Sequence, residues 1–453
     1  MVKLYEFLYL QGYFELLISQ KVYCLDICIN YMKEIVTVQF GKFGNTLGTL
    51  FWEDLSYEHQ VSKMNRSSIS MAPESGLNIF FDENLKGNFT PRTVLIDPNP
   101  GSIEILRNEI DLFEVPDYAF VTGSKSNDMN YSVGFKNFEL IENSLEACRK
   151  LAEKCEVFQG YQFFHSIGGG TGSGVMSALM EELLELDCAK LFFTFTCCPT
   201  KKISELPLEF INAGLAFKNL IDLGSVCIML DNEKLLQPNL DVQESVNFHN
   251  LNQIMRKQVS DFTSLLRFPS SSLTSYLKIR NFLSVYPRMH FVDISSSYQN
   301  PNSTSDELVT QTLTEESMYY NEDLKNPQAF ASIGISRGNI CQYKAQKDLN
   351  IWSEENFGRF ADWIPRQLKY HYAKTPHKDC EYSFSYVKNS ANLKNLIGRI
   401  SQEFSNLIQN SELTNLYTQN GLENLCFTEA EENLKDLYSE YEYWAINTVA
   451  DEP

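Results

Sequence analysis

Tyr161-Gln162-Phe163-Phe164-His165-Ser166-Ile167-Gly168-Gly169-Gly170-Thr171-Gly172-Ser173-Gly174 is the stretch that decides the fold. Its first six residues form an apolar, aromatic run of strand length. Glycines and two hydroxyl residues follow, and Val175–Leu186 then reads as a helix. A strand that empties into glycine and restarts as a helix marks the ligand edge of a parallel α/β sheet. Glycine lets a phosphate approach the backbone, and the helix N-terminus offers free N–H groups and a positive dipole end. The segment lacks the GxxxxGK[ST] lysine, and no GxGxxG with a following acidic residue is present. A Walker-type loop and a dinucleotide fold are therefore both disfavoured.

Outward from this segment, strands and helices alternate. Glu34–Gln39, Thr93–Asp97, Leu191–Thr196 and Val226–Leu230 read as buried strands. A helix is expected after Gly41 and Gly44 through Trp52. Another is expected over residues 139–154, where Ile141, Leu145, Cys148 and Ala152 recur at helical spacing. This order predicts a parallel sheet with helices on both faces. After about residue 233 the pattern loosens, and the Ser/Thr/Asn-rich 296–325 segment predicts a long loop. Near the end, Leu393, Leu396, Ile397, Ile400, Phe404 and Leu407 make one apolar stripe. Thr428-Glu429-Ala430-Glu431 reads as a capping box opening a helix through about Trp444.

The chain has 453 residues, 43% apolar and 21% charged, which is globular composition for two or three domains. Lys plus Arg number 38 against 58 Asp plus Glu, a net charge of −20 spread along the chain. That balance repels phosphate backbones and argues against a nucleic-acid partner. Eleven cysteines form no CxxC pair and six histidines form no HExxH pattern, so reduced thiols without a zinc site are expected. Residues 1–31 are rich in aromatic and aliphatic side chains. Glu6, Glu15, Lys21 and Asp26 nevertheless break every apolar run well short of the roughly 18 residues of a membrane span. No membrane association is expected, and the segment is a poor signal peptide.

HSIGGGTGSG resembles the tubulin signature, and the similarity extends from Met32 to near the end. MKEI at Met32, VQFGKFGN at Val38–Asn45, Asp231-Asn232-Glu233, LRFP at Leu266–Pro269, PRMHF at Pro287–Phe291, Trp363-Ile364-Pro365 and FTEAE at Phe427–Glu431 match further landmarks in order. LRFP, WIP and GYQFFHS lean towards the β-type. The resemblance implies a Rossmann-like, parallel-sheet GTP-binding domain over 32–233. It further implies an α+β intermediate domain over 234–390 and a C-terminal helical hairpin over 391–453. Residues 1–31 are then an N-terminal extension or a gene-model artefact. It implies GTP or GDP as ligand and Mg²⁺ as a companion ion.

Site roles follow by the same resemblance. Gly168, Gly169, Gly170, Thr171, Gly172, Ser173 and Gly174 would cradle phosphates. Gly41, Lys42, Gly44 and Asn45 would line the phosphate and ribose side. Asp97 would face the metal, and Asn130 the γ-phosphate. Glu209 would bind the ribose. Asn212, Asn232 and Asn252 would read the purine edge, and Phe248 would stack on the base. Several positions depart from the family pattern: Lys42 and Thr46 stand where glutamines are usual, Phe43 replaces a cysteine, and Asn99 replaces a carboxylate near the metal. Ser126-Asn127-Asp128-Met129 replaces a small-residue loop. The position of the acidic residue that acts on a neighbour's nucleotide aligns with Lys278, beside Ser275. The lateral loop after Ser295 is short, and the chain ends without a glutamate-rich tail. The expectation is a cytoplasmic, GTP-binding subunit that pairs with an α-type tubulin in microtubules, with weak GTPase activity completed by its partner. The alternative is a non-polymerising tubulin-fold cap, sequestering partner or ciliary or centriolar component.

Overall fold

The computed structural model describes residues 34–61, 76–83, 88–109, 113–124, 126, 129–186, 191–204, 206–236, 248–268, 273–299, 307–313, 329–356, 360–361, 364 and 367–446. The expected N-terminal extension, Trp363, Pro365 and the tail from residue 447 lie outside the described residues.

Strands are β1 (Glu34–Phe40), β2 (Phe81–Glu83), β3 (Phe89–Pro91), β4 (Thr93–Ile96), β5 (Phe120–Val121), β6 (Phe158–Ser166), β7 (Phe192–Cys198), β8 (Val226–Asp231), β9 (Phe291–Tyr298), β10 (Ala329–Gly338), β11 (Leu368–Ala373) and β12 (Tyr382–Ser390). Helices are α1 (Gly41–His59), α2 (Pro100–Glu109), α3 (Tyr131–Phe135), α4 (Phe138–Glu153), α5 (Met176–Glu185), α6 (Leu208–Leu223), α7 (Asn232–Leu236), α8 (Phe248–Arg267), α9 (Tyr276–Leu283), α10 (Glu307–Thr312), α11 (Gln342–Glu355), α12 (Leu393–Ile408), α13 (Ser411–Thr418) and α14 (Asn424–Ile446).

Ten strands form one sheet in the order β11-β10-β12-β9-β8-β7-β6-β1-β4-β5. From β5 through β9 every neighbour is parallel, and β12 alone runs antiparallel to β9 and β10. The sheet therefore continues unbroken across residue 233. Its strands are apolar on both sides because both faces are covered. Phe163 and Val36 point into a core shared with α4, α5, α6, α12 and α14. Their neighbours Phe164 and Ile35 point the other way, into a core shared with α1, α8 and α9. That alternation is the two-residue period of a strand.

The C-terminal layer packs on α6. The α12 stripe is buried at Leu393, Leu396, Ile397, Ile400 and Phe404. Gly214 makes room for it, since a Cβ there would lie 2.1 Å from the Phe404 ring. The expected capping box is not where α14 starts. The helix opens at Asn424, and exposed Thr428 already lies inside it. Starting early carries Phe427 into the core edge-on to Tyr417, at 5.9 Å between ring centroids. Burying an aromatic outweighs a cap of about 1 kcal/mol. Within 296–325, β9 reaches Tyr298 and Glu307–Thr312 is helical with Leu308 and Val309 buried; the rest of the expected loop lies largely outside the described residues. Helix α1 runs past Trp52 to His59, where Gln60 turns left-handed at φ 54°.

Candidate functional site

The carboxyl ends of β1, β4, β6, β7 and β8 open into one cleft of about 650 Å³. Each strand contributes residues at or just past its end: Gly41 and Lys42, Asp97, Gly168 to Gly172, Cys197 and Pro199, and Asn232. This is the edge at which open α/β sheets hold ligands.

The floor is the glycine loop. Gly169 is open, with no atom within 4 Å of a built Cβ. Gly172 is different: a Cβ would lie 2.3 Å from the Ser166 carbonyl oxygen, so only glycine lets the loop fold back on its own strand. Thr171–Val175 is wound as a π-turn, wider than an α-helix. His165 holds this turn from below. Its Nδ1–H donates to the Gly172 carbonyl at 2.8 Å, and its Nε2 accepts from the Thr196 hydroxyl at 2.9 Å. Burial pushes the His165 pKa down to about 4, so the neutral ring makes both bonds. On the rim, Gly41 sits at φ +65°, a conformation that side chains resist.

One wall suits a base and a sugar. Phe248 begins α8 with 57% of its surface exposed and faces the cleft. Asn252 is one turn further on the same helix and also faces it. Asn232 donates one amide hydrogen to the Cys197 sulfur at 3.4 Å and also lines the cleft. Glu209 accepts from the Ser204 hydroxyl at 2.6 Å.

The opposite wall carries Lys42, Thr46, Asp97, Asn99 and Met129. Asp97 is buried, and desolvation raises its pKa while the Asn99 N–H opposes the rise. One of its oxygens accepts that N–H at 2.9 Å. Asn99 turns its own amide oxygen onto the Gly101 N–H at 2.9 Å. Asp97 therefore fits a Mg²⁺ ion as a single carboxylate, the minimum for an ion that also binds phosphates and water. Asn99 offers it no charge. Lys42 is exposed, and no carboxylate pairs with it among the described residues.

Six predicted positions do not line the cleft. Asn212 is fully buried and spends its whole hydrogen-bond capacity inside the protein. Its oxygen accepts from Tyr131 N–H at 2.9 Å and Tyr417 hydroxyl at 2.9 Å, and its nitrogen donates to Met129 at 2.8 Å and Gly168 at 2.7 Å. It cannot read a purine as well. Asn45 donates to the Ile96 carbonyl at 3.2 Å, tying α1 to β4. Asn130 caps α3 through the Ser132 N–H at 2.8 Å and donates to the Leu416 carbonyl at 3.3 Å. Ser173 donates to the Gly169 carbonyl at 2.6 Å. Gly44 and Gly174 permit close packing, since a Cβ at either would lie 2.1 Å from the carbonyl oxygen of Phe164 or Tyr131. Conversely, Cys197, Pro199, Ile203 and Ser204 line the cleft without having been expected there. Their signal was available: they follow directly on the strand LFFTFT.

Residues 34–239 match the model of the Tubulin/FtsZ family, GTPase domain. The chain is 30% identical over 433 residues to "Tubulin beta-7 chain" of Gossypium hirsutum, covering 93% of this chain and 97% of that one. It is 29% identical over 436 residues to "Tubulin beta chain" of Cicer arietinum and 30% identical over 431 residues to "Tubulin beta-3 chain" of Zea mays, each match covering 97% of the relative. The chain belongs to the tubulin family. At this identity it is a divergent tubulin, and its GTPase domain implies binding of GTP or GDP. The family match ends before Phe248 and Asn252, so the outer part of the base wall rests on the cleft geometry alone. Among the described residues no helix is long and apolar enough to cross a membrane.

Proposed function

We propose that this tubulin is a β-like, GTP-binding subunit that pairs with an α-type tubulin and assembles into cytoplasmic microtubules. The observation that carries the reading is the two-sided cleft: an open glycine floor for phosphates beneath a wall with an exposed ring and unspent amide groups. The far end of the sheet supports a head-to-tail stack. The Tyr276 N–H donates to Gln159 at 3.2 Å, so α9 lies at the amino end of β6, opposite the glycine loop. Ser275 caps α9 through the Lys278 N–H at 3.3 Å, and Lys278 is exposed there.

An ammonium at that position cannot deprotonate a water as a carboxylate would. This subunit therefore does not trigger hydrolysis in a neighbour, and its own GTP turns over only when an α-type partner supplies the acid. Asp97 holds Mg²⁺ alone when the ion binds, and Lys42 supplies positive charge on the same wall, so nucleotide binding depends weakly on the metal. Nucleotide released from purified protein by denaturation should be GTP or GDP; none at all would overturn the cleft assignment. Co-sedimentation with microtubules containing α-tubulin should carry the chain into the pellet. One feature favours the second reading, a non-polymerising tubulin: the Asn99 and Asn130 amide oxygens serve backbone turns, so neither adds a ligand beside Asp97 on that wall. A stable soluble heterodimer that never enters polymer is the outcome that would select it.

A further inference from the structure

We infer that Arg399, on the C-terminal helix α12, is a positioning residue for purine recognition: it clamps the two residues flanking Asn232 and so aims the Asn232 amide at the base. The inference rests on the guanine-nucleotide reading of the cleft.

The geometry is a fork over a turn. One guanidinium nitrogen of Arg399 donates to Asp231 at 2.9 Å, and the other to Glu233 at 2.7 Å. Asn232 lies between them at the start of α7 and faces the cleft. Arginine's rigid, planar donors suit such a two-point hold, which a lysine cannot reproduce. Asp231 is 2% exposed, so that arm of the clamp is little screened by water.

The hold spreads to the neighbouring wall. Glu233 also accepts from the Thr200 hydroxyl at 2.9 Å and pairs with Lys202 at 3.5 Å. Glu403, one turn beyond Arg399 on α12, pairs with Lys201 at 2.5 Å. Helix α12 thus grips both the 231–233 turn and the 200–202 turn, next to the cleft residues Pro199 and Ile203.

The chemistry at stake is the sense of one amide. Asn232 donates one amide hydrogen to the Cys197 sulfur, which fixes the sense of the amide, and its oxygen makes no other bond among the described residues. Guanine offers N–H donors on its Watson–Crick edge, whereas adenine offers a ring acceptor at the N1 position. An acceptor held against the N1 and 2-amino positions favours guanine over adenine, whose only Watson–Crick donor is its 6-amino group. An acceptor free to rotate loses that choice.

The test is competition of GTP and ATP against a fluorescent GTP analogue on the full-length chain. Wild type should prefer GTP. Arg399→Met should cut that preference by about tenfold, the value of one charge-assisted hydrogen bond. Arg399→Lys should recover much of the thermal stability but not the preference. Glu233→Gln, which removes the charge from one arm of the clamp at a partly exposed residue, should fall between wild type and Arg399→Met in preference. These two variants decide the matter if Arg399→Met does not fold. A purely structural arginine would lower stability and weaken both nucleotides alike. An unchanged GTP-to-ATP ratio in Arg399→Lys and Glu233→Gln, with wild type preferring GTP, overturns this inference alone. Wild type binding neither nucleotide overturns the cleft assignment and this inference together.

Discussion

The two ends of helix α8 are both polar and serve opposite ends. At its start, Phe248 is exposed and Asn252 faces the cleft. At its finish, Ser260, Asp261 and Arg267 lie in a closed cluster with Glu58 of α1, Arg337 of β10 and His377. Glu58 there pairs with Arg267, with Arg337 at 2.8 Å and with the Ser260 hydroxyl at 2.7 Å. Asp261 meets His377 at 2.7 Å and the Ser385 hydroxyl at 2.6 Å. Desolvation alone would raise the Glu58 pKa, but the two guanidinium groups drive it well below the usual carboxylate range. Burial and charge by themselves therefore do not mark a site. What distinguishes the cleft is that its groups keep bonding capacity unspent.

Breaking the closed end should have the largest effect. Glu58→Ala leaves Arg267 and Arg337 buried together without their shared carboxylate. Removing one partner of a buried ion pair costs about 3–5 kcal/mol. Denaturant unfolding should show that loss, and a change below about 1 kcal/mol would mean that water reaches the cluster.

Asn212 and Asn232 make the same comparison within one residue type. Asn212→Ala strands partners on Tyr131, Met129 and Gly168 and should cost about 2–3 kcal/mol in stability. Its effect on GTP and ATP should be equal. Asn232→Ala should change stability by less than about 1 kcal/mol and erase the preference for GTP. A selective loss in Asn212→Ala would return that residue to the purine edge.

The pH profile sharpens the contrast less strongly. Burial lowers the pKa of His59 and His371 to about 3 and of His165 and His290 to about 4. The unfolded chain binds these protons from about pH 6.5 downwards, and the folded chain does not. Their contribution is complete above pH 6.5 and drains away as pH falls towards 4. Asp54 opposes them, because desolvation raises its pKa to about 7 and its contribution is lost as pH rises from 4 to 7. Burial also lowers His377, and it raises Asp97, Glu181, Asp231 and Glu440 on the side of Asp54 by smaller amounts. The histidine shifts are the larger, so the melting temperature should rise between pH 4 and 6.5. A flat or falling curve over that range contradicts it.

The cleft floor was legible from sequence because its signal is local: a strand, five glycines and a helix lie within one short stretch. That β6 and β7 are strands was legible for the same reason. Asn212 was not, since its partners come from Tyr131, Met129, Gly168 and Tyr417, and only folding brings them together. Arg399 was invisible too, standing far along the chain from the turn that it clamps. Thr428 misled because a local cap lost to the burial of Phe427.

The smallest expected effect concerns Lys42. An exposed cation acting on phosphate through water contributes about 1 kcal/mol and is screened by salt. If Lys42 shares the work of the metal, wild type should lose less than about tenfold in GTP affinity when Mg²⁺ is chelated. Lys42→Gln should lose about threefold more than wild type without Mg²⁺, and less than that with it, because the ion at Asp97 then supplies the charge. The difference between the two proteins should shrink as ionic strength rises, whereas a lysine turned to solvent would leave the variant and wild type alike at every salt concentration. A wild-type loss of tenfold or more on chelation would instead make Asp97 and its ion the dominant hold on the phosphates, and would bring this wall of the cleft closer to the base wall in its dependence on a single anchored group.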